Sequence, residues 1–578
     1  SMMTSIRMDR NAEMEMRDGT LLRANIYRPD DGGKHPAIFL RSFDKVRFSR
    51  ACFLNIFDAM EAGYAFITQD IRGRHDSDGE WKPENTHIVE GPDGHDSVEW
   101  IAGQSWCDGN VGMLGYSHAA GFTWRTAMEK PPHLKAIAPW SSGIPGGRGG
   151  SEPPDTGGVL SLIQSLAWLL NEAVDVVDRL EREGQDVTEM REALNWAVSN
   201  PEKYRNFLPL KDVPFARFER LGQLWRMRLN AKARAGGEGD GPHEKVVLPC
   251  SHLCGWYDGI GWTAIETFRI MQEHEGSQPP LKNQHLTVGP WPHGGQLLHY
   301  LGNINFGAAS VGAPVSDQLI AFFDKYLKGK DIKIPAVRYF VMGRDQWQEA
   351  DTWPLPQTQW QRFYLHSKGN ANTSTGNGIL STDEPGSEPP DIFVYDPHRP
   401  VPTLGGSIVA APAGFGFTAG PLDQSQNEKR NDVLCYTTPE LKEDVEVSGP
   451  LEIHVFAATS ARDTDFTAML VDVHPDGRTH NVAGGIKRAR GLISAHKPEL
   501  ITPGEVNEYI ISLGHSSQLF RRGHRIRVDI SSSNFPLYDR NMNTGNPIGE
   551  DAVGIPAMQT VFHQSEYASY LDLPVIPI

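Results

Sequence analysis

A serine at position 117 lies in a sequence that could make its hydroxyl a nucleophile. Residues 111–114 predict a short buried strand, and the alanine-rich run over 119–128 predicts a helix. Strand, tight turn and helix are the context in which the pattern Gly-x-Ser-x-Gly exposes a serine Oγ at the end of a sheet. Ala119 stands at the last glycine of that pattern, where a small residue is needed. The backbone N–H of His118, at the helix start, is the predicted donor to an oxyanion.

A nucleophilic serine needs a base, and the base needs a carboxylate that orients it. Asp258 follows a predicted strand over 246–252, and His293 follows a predicted strand over 285–289. The chain order Ser, Asp, His, each after a strand, is that of α/β-hydrolases. We therefore predict a catalytic triad of Ser117, Asp258 and His293 that requires no cofactor and no metal. The alternative is that Asp258 caps a turn and His293 is a surface histidine.

The segments around these residues alternate between strand and helix. A hairpin over 8–29 is followed by apolar runs that predict strands at 35–40, 64–68 and 134–138, with helical stretches between them. This alternation predicts a parallel sheet with helices on both faces. We assign residues 1–145 and 246–352 to one α/β-hydrolase catalytic domain.

Residues 146–245 interrupt that domain. Gly/Pro-rich segments begin and end this stretch, and apolar residues recur at helical spacing over 161–177, 187–198 and, more weakly, 216–231. This pattern predicts an inserted helical cap domain over the site.

Residues 353–578 show a different pattern of predicted secondary structure. Short strands recur between turn signals, including 445–447 and 451–456 as two separate strands, and no long helical pattern interrupts them. These features predict a C-terminal all-β domain, a jelly-roll β-sandwich.

Composition excludes several classes of function. The formal net charge of −17 argues against a nucleic-acid partner, because phosphates would be repelled. Five cysteines form a sparse, odd set typical of reduced thiols, and the pair Cys250 and Cys254 has no second ligand pair at zinc spacing. The most apolar long segment, 159–177, is interrupted by polar residues, so we expect no membrane association. We also expect no secretory signal and a cytoplasmic location. A homo-oligomer is left open.

Several motifs resemble those of the family of bacterial cocaine esterase and X-Pro dipeptidyl-peptidases. The resemblance covers nearly the whole chain and implies an α/β-hydrolase core, a helical cap and a C-terminal jelly roll, with Ser117, Asp258 and His293 as the triad. The family includes esterases, dipeptidyl-peptidases, α-amino acid ester hydrolases and glutaryl acylases. The motifs lie at residues 37–45, 63–81, 106–117, 255–259, 289–293, 463–466, 472–477, 523–528 and 533–536.

One loop departs from the family pattern. Esterases of this family supply a second oxyanion donor from a tyrosine hydroxyl in a loop that reads Arg-Asn-Pro-Tyr-Asp-Lys. The corresponding loop here, residues 41–45, is one residue shorter and carries Phe43, which has no hydroxyl. The second donor is then Ser42 Oγ, a backbone N–H, a water, or absent. Loss of one such donor costs about 10²–10³ in rate.

The predicted substrate is a small ester whose acyl group is apolar or aromatic. Core packing is an equally reasonable interpretation of the aromatic side chains that suggest this substrate. An aminopeptidase would need a carboxylate to hold the substrate amine, and Glu172 and Asp175 are candidates for that role from their position alone. We predict a carboxylic ester hydrolase. The alternatives are an X-Pro-type dipeptidyl-peptidase or amide acylase, and a repurposed hydrolase fold with a non-hydrolytic role. The predicted substrate-binding residues are Phe43, Trp140, Trp168, Leu169 and Trp256.

Overall fold

The computed structural model describes most of the chain as two large β-sheets and the helices around them. Cys52, and Asp44 and Lys45 of the predicted oxyanion loop, lie outside the described residues. The described residues are 5–43, 54–82, 85–148, 158–229, 239–274, 283–296, 298–311, 315–409, 416–494 and 497–578.

The first large sheet contains ten strands in the order β1-β2-β4-β3-β5-β6-β7-β8-β11-β12, and β9 and β10 form a separate small pair. Neighbouring strands from β4 to β11 are parallel, and the remaining pairs of this sheet are antiparallel. The strands are β1 (Ile6–Glu15), β2 (Leu21–Pro29), β3 (His35–Ser42), β4 (Ala65–Asp70), β5 (Cys107–Tyr116), β6 (Leu134–Trp140), β7 (Cys250–Tyr257), β8 (Gln284–Pro292), β9 (Tyr300–Leu301), β10 (Ile304–Asn305), β11 (Val337–Val341) and β12 (Gln346–Ala350).

Helices cover both faces of this sheet, which is why its central strands are apolar on both sides. In β5, Val111 and Met113 face a cluster with Trp124 of α3, whereas Leu114 faces Phe323 of α10 on the other side. None of the described helices is both long and apolar enough to cross a membrane. The helices are α1 (Ile56–Glu61), α2 (Thr86–Ala102), α3 (His118–Met128), α4 (Leu162–Arg182), α5 (Thr188–Ser199), α6 (Pro201–Arg205), α7 (Glu219–Leu229), α8 (Gly241–Glu244), α9 (Trp262–His274) and α10 (Val315–Lys328).

Helices α4 to α8 lie between β6 and β7 in the chain and form the predicted helical insertion. Apolar side chains of α4, α5 and α7 share one core with Phe43, Trp81 and Phe122 of the sheet domain, so the insertion packs directly over one end of the sheet. The predicted helix over 216–231 begins only at Glu219, because Pro214–Arg217 forms a short 3₁₀ turn. The α/β-hydrolase fold with an inserted helical cap is confirmed, while the domain boundaries stay a prediction.

The second large sheet forms the C-terminal all-β domain. Its main path is β15-β22-β17-β24-β13-β14-β16-β21-β18-β19, with β20 paired to β17 and β23 to β22. The strands are β13 (Gln359–His366), β14 (Ile379–Ser381), β15 (Asp391–Tyr395), β16 (Leu434–Thr437), β17 (Val445–Thr459), β18 (Asp465–Val473), β19 (Thr479–Arg488), β20 (Asn507–Phe520), β21 (Arg525–Ser531), β22 (Ala557–Gln564), β23 (Tyr567–Ala568) and β24 (Tyr570–Ile576).

Two strand predictions were wrong in detail. The strand predicted over 246–252 begins at Cys250, and Val247 before it is 79% exposed, so this apolar run is not a buried strand start. The strands predicted at 445–447 and 451–456 are one strand, β17. The Gly449-Pro450 pair suggested a turn, but the strand passes through it with a shift in register, which tolerates a proline that cannot donate a ladder hydrogen bond.

Candidate active site

Ser117 is the single residue between the end of β5 and the start of α3. Its backbone has φ 61° and ψ −118°, a strained conformation for a residue with a side chain. Strain of this kind is found at functional sites, where surrounding structure enforces it. The turn is tight: a Cβ added to Gly115 would lie 2.2 Å from the carbonyl oxygen of Ala119. The Ser117 N–H donates to the carbonyl of Trp140 at 2.9 Å, which fixes the turn to the neighbouring strand β6.

Asp258 follows the last residue of β7 and is buried at the same edge of the sheet. One carboxylate oxygen, Oδ1, accepts the backbone N–H groups of Ile260 at 2.9 Å and Gly261 at 3.0 Å. A Cβ on the intervening Gly259 would lie 2.5 Å from the carbonyl oxygen of Ser407, so the jelly-roll domain closes on this turn. The carboxylate is therefore held rigidly by backbone groups.

His293 follows the last residue of β8 and pairs with that carboxylate. Its Nδ1 lies 2.9 Å from Asp258 Oδ1 and 3.0 Å from Oδ2. Burial raises the pKa of Asp258, but the charge and hydrogen bond of His293, with the hydrogen bonds from Ser141 and the Ile260 N–H, outweigh it and leave the pKa below its usual value. Asp258 is therefore ionised at neutral pH, which favours a proton on Nδ1 and leaves Nε2 of His293 as the basic nitrogen.

Ser141 is a residue of this site that the sequence analysis missed. It is the first residue after β6, has φ 58°, and its hydroxyl donates to Asp258 Oδ2. Its Oγ also lies 3.3 Å from His293 Nδ1. The rule that drew attention to Asp258 and His293, a polar side chain directly after a parallel strand, applies equally to this position and could have found it.

We expect the Ser141→Ala variant to lose about 10- to 100-fold in kcat. Removing the hydroxyl takes one hydrogen bond from Asp258 Oδ2 and leaves it with the 3.0 Å contact of His293 Nδ1. A hydrogen bond to a charged group is worth about 1.5–3 kcal/mol, and less stabilisation of the ionised Asp258 weakens its hold on the His293 ring. The measurement is steady-state kinetics with an ester. Ser142→Ala is the matched control, because among the described residues that hydroxyl has its hydrogen bond only with the Gly143 carbonyl. Equal activity of the two variants would contradict a positioning role for Ser141.

The ends of β5 and β8 are joined through Tyr116. Its ring centroid lies 5.0 Å from that of His293, and its hydroxyl accepts the Gly294 N–H at 2.7 Å. Among the hydrogen bonds of the described residues, those of His293 join its Nδ1 to Asp258 and Ser141, and none joins its Nε2 to Ser117. Such a nucleophile–base bond is often loose without substrate and tightens in the bound complex. The structure thus pairs two of the three predicted triad residues and places Ser117 beside their loop.

Ser42 and Phe43, the described part of the predicted oxyanion loop together with Arg41, contact His118, which directly follows Ser117. The His118 ring faces the end of β3, where its Nε2 lies 3.2 Å from Ser42 Oγ and its ring stacks obliquely on Phe43 at 4.8 Å. Ser42 is fully buried, and the imidazole of His118 is one hydrogen-bond partner of its hydroxyl. A role for Ser42 as the second oxyanion donor stays a prediction, as does that of the His118 N–H.

Comparison with known proteins identifies the family. Residues 18–295 match the family model of X-Pro dipeptidyl-peptidase (S15 family), and residues 332–572 match that of the X-Pro dipeptidyl-peptidase C-terminal non-catalytic domain. The chain is similar to cocaine esterase of Rhodococcus sp. (strain MB1 Bresler), with 35% identity over 98% of each chain. The chain belongs to the family of cocaine esterase and X-Pro dipeptidyl-peptidases. It is a serine hydrolase, and an ester-hydrolase function fits these relatives.

Solved structures of low identity share the fold of this family member over its whole length. An aminopeptidase from a marine sediment archaeon (Thaumarchaeota archaeon) is 24% identical, with a TM-score of 0.79 over 99% of this chain and 96% of that one. An α-amino acid ester hydrolase is 22% identical, with a TM-score of 0.75 over the same shares. Both confirm the arrangement of α/β-hydrolase core, cap and C-terminal all-β domain.

The residues predicted to bind substrate fall into two groups in this family member. Trp140 and Trp256 are buried and donate from Nε1, to Ser251 Oγ at 3.0 Å and to the Phe340 carbonyl at 2.8 Å, as core tryptophans do. Trp256 also borders a cavity of about 70 Å³ next to Asp258. Phe43, Trp168 and Leu169 belong to the interface between sheet and cap, where Trp168 is only partly buried. Leu169 is fully buried, whereas Phe43 borders a cavity with Arg74 and Glu172, so Phe43 and Trp168 are better placed than Leu169 to contact a ligand.

Two acidic residues of the cap, Glu172 and Asp175, are paired with Arg74. All three side chains are buried, and Arg74 Nη1 lies 2.6 Å from Glu172 Oε2 while its Nε lies 3.0 Å from Asp175 Oδ2. The Arg74 guanidinium also lies 5.5 Å from the centre of the Phe43 ring. Because Arg74 neutralises much of their charge, these carboxylates are poorly suited to hold a substrate ammonium group.

Proposed function

We propose that this family member hydrolyses carboxylic esters through an acyl-enzyme formed on Ser117. The observation that carries the proposal is the Asp258–His293 pair, with 2.9 Å between Oδ1 and Nδ1, at the same sheet edge as a serine held at φ 61°. A strained serine, an imidazole and a buried ionised carboxylate, each after a parallel strand of one sheet, are the groups that acyl transfer requires.

Each group has a defined task in this mechanism. Ser117 Oγ attacks the ester carbonyl while His293 Nε2 takes its proton, and Asp258 stabilises the imidazolium that forms. The His118 N–H, at the start of α3, donates to the oxyanion. His293 then returns the proton to the leaving alcohol. A water molecule, activated by the same imidazole, attacks the acyl-enzyme and releases the acid.

The acyl group is proposed to be small and apolar or aromatic. Support comes from the cap interface, where Phe43 and Leu169 belong to one apolar cluster with Phe122, in the first turns of α3. Phe122 and Phe43 meet edge to face with ring centroids 5.0 Å apart. Apolar walls of this kind bind hydrocarbon surface by excluding water from it.

An X-Pro dipeptidyl-peptidase or amide acylase is the second candidate function, favoured by the match to the S15 family model. A peptidase that recognises a free amino terminus needs a carboxylate left available for the ammonium group. Glu172 and Asp175 are instead paired with Arg74. Ester substrates are therefore preferred, and a panel of aryl and alkyl esters against X-Pro amides separates the two functions by their kcat/KM values.

Active-site labelling tests the proposed nucleophile directly. A fluorophosphonate, which reacts covalently with activated serines, is expected to modify Ser117 at one equivalent per chain, as mapped by peptide mass spectrometry. The control is Ser117→Ala, which should lose all labelling, while Ser142→Ala should retain it. Labelling at another residue, or none at all, would refute the proposal and favour a fold repurposed for a non-hydrolytic role.

Phe43→Tyr tests whether this chain lacks an oxyanion donor. Since the Phe43 ring lies 4.8 Å from that of His118, next to the nucleophile, a hydroxyl on this ring is expected to raise kcat for an ester. One oxyanion-hole donor is worth about 10²–10³ in rate, so we expect a gain of up to about 10²-fold. Phe43→Leu is the control, because it changes the ring without adding a donor. An unchanged rate in Phe43→Tyr would show that the missing hydroxyl does not limit turnover.

A further inference from the structure

Four side chains of types that can bind a metal ion meet in the C-terminal domain, and none of them belongs to the proposed triad. Asp472 in β18 is directly opposite His480 in β19, and on its other side it is opposite Ile526 of β21. His474 follows the end of β18, and His524 precedes the start of β21. Three neighbouring strands thus bring one carboxylate and three imidazoles to the same end of the sheet.

The potential ligand atoms are close enough to share one ion. His524 Nδ1 lies 2.8 Å from Asp472 Oδ1, His474 Nε2 lies 3.9 Å from Asp472 Oδ2, and His480 Nδ1 lies 2.9 Å from His474 Nε2. One ligand atom from each of Asp472, His474 and His524 falls within 4.8 Å of the others. Ligand atoms at about 2.0–2.1 Å from a tetrahedral Zn²⁺ are roughly 3.3 Å apart. Small rotations of the side chains would therefore bring these atoms to the spacing that one ion requires.

The protonation of the cluster also suits a metal. Two imidazoles whose nitrogens are 2.9 Å apart cannot both be protonated without strong repulsion. Neutral imidazoles with one nearby carboxylate are the ligands that Zn²⁺ and related ions prefer.

We propose that Asp472, His474, His480 and His524 bind one divalent transition-metal ion, Zn²⁺ in the first instance, at a structural site. The side chains of His474 and His524 are 20% and 14% exposed, which gives the ion a route from solvent. Asp472, His474 and His480 lie in one β-hairpin, but the fourth ligand, His524, comes from the turn before β21 and is brought in by strand pairing. The sequence analysis, which considered only the cysteines, predicted no metal.

A second cluster, Glu428, Cys435 and Asp529, is a weaker candidate. It is fully buried, and Arg527 already supplies a positive charge with its Nη1 3.1 Å from Glu428 Oε2. A guanidinium and a metal ion would compete for the same carboxylate. This cluster must nevertheless be distinguished in the test, because a metal bound there would have a thiolate ligand.

The test is a metal titration of tag-free protein that has been treated with a chelator. We expect one Zn²⁺ per chain by elemental analysis after gel filtration, and a rise in Tm on adding Zn²⁺. His474→Asn and His524→Asn should each lower the affinity for Zn²⁺ at least tenfold, measured against a competing chromophoric chelator. His398→Asn, which changes an exposed histidine of the same domain, is the control and should bind as the unmodified chain does.

Three outcomes would overturn the proposal. They are a lack of stoichiometric Zn²⁺ binding, unchanged affinity in both ligand variants, and a thiolate charge-transfer band after substitution with Co²⁺, which would assign the ion to Cys435. A variant that fails to fold is recognised by its circular dichroism, and the second ligand variant then decides. None of these measurements depends on ester turnover, so the result is independent of the proposed function.

Discussion

Ser117→Ala is expected to abolish measurable ester turnover, with a loss in kcat on the order of 10⁶-fold. The hydroxyl is the only group at the end of β5 that the proposed mechanism uses as a nucleophile, and no acyl-enzyme forms without it. Alanine fills the same space at φ 61°, so the turn between β5 and α3 should persist. The measurement is kcat with an aryl ester, read against the uncatalysed rate in the same buffer.

Two controls accompany the Ser117 experiment. Ser142→Ala removes a buried hydroxyl whose hydrogen bond, among the described residues, is only with a neighbouring carbonyl, and its activity should be close to that of the unmodified enzyme. The Tm of Ser117→Ala should stay close to that of the unmodified chain, because alanine keeps the same backbone conformation and removes only a hydroxyl. Turnover by Ser117→Ala above about one hundredth of the original kcat would refute the assignment of the nucleophile, since loss of a triad serine costs far more.

Asp258→Asn is expected to lower kcat by about 10⁴-fold while leaving the fold intact. The backbone N–H groups of Ile260 and Gly261 bond to Oδ1 and would keep the asparagine carbonyl oxygen in that position. The amide NH₂ then replaces Oδ2 beside His293 Nδ1, so that Nδ1 must accept a hydrogen bond rather than donate one. The proton moves to Nε2, and the nitrogen that should take the Ser117 proton loses its lone pair.

Kinetics of the double variant provide the check on Asp258→Asn. If Ser117, His293 and Asp258 act as one unit, Ser117→Ala with Asp258→Asn should be no slower than Ser117→Ala alone. Labelling of Asp258→Asn by a fluorophosphonate should be slowed by a similar factor to its ester turnover. Additive losses, or an Asp258→Asn variant that retains more than about a tenth of the original kcat, would mean that this carboxylate does not orient the base.

The sequence alone was sufficient to predict the fold and to draw attention to polar residues that directly follow strands of the first large sheet. Strand and helix periodicity predicted the alternating order, and the rule that active residues follow parallel strands placed Asp258 and His293 within contact of one another. The same rule was not applied to Ser141, whose hydroxyl reaches the same carboxylate. Serine after a strand is common, and only the three-dimensional arrangement of β6 beside β7 distinguishes this one.

Side-chain direction was harder to predict than position. Trp140 ends a strand at the edge of the sheet where we predicted a pocket. Its ring instead points into the core, and its Nε1 donates a hydrogen bond to Ser251 Oγ. The role of Glu172 and Asp175 could not be predicted from the sequence, because their ion-pair partner, Arg74, is about 100 residues away in the chain. The four residues of the proposed metal cluster met the same limit, since strand pairing, not sequence spacing, brings them together.

The Arg74 ion pairs have a consequence for how substrate reaches the enzyme. They fasten the long helix α4 to the loop after β4, and Arg179 adds hydrogen bonds from α4 to the carbonyls of His75 and Ser77. Swinging this helix outward would break these ion pairs and hydrogen bonds together. We therefore expect α4 to keep its place against the sheet domain while an ester binds, so that the closed enzyme selects substrates by size.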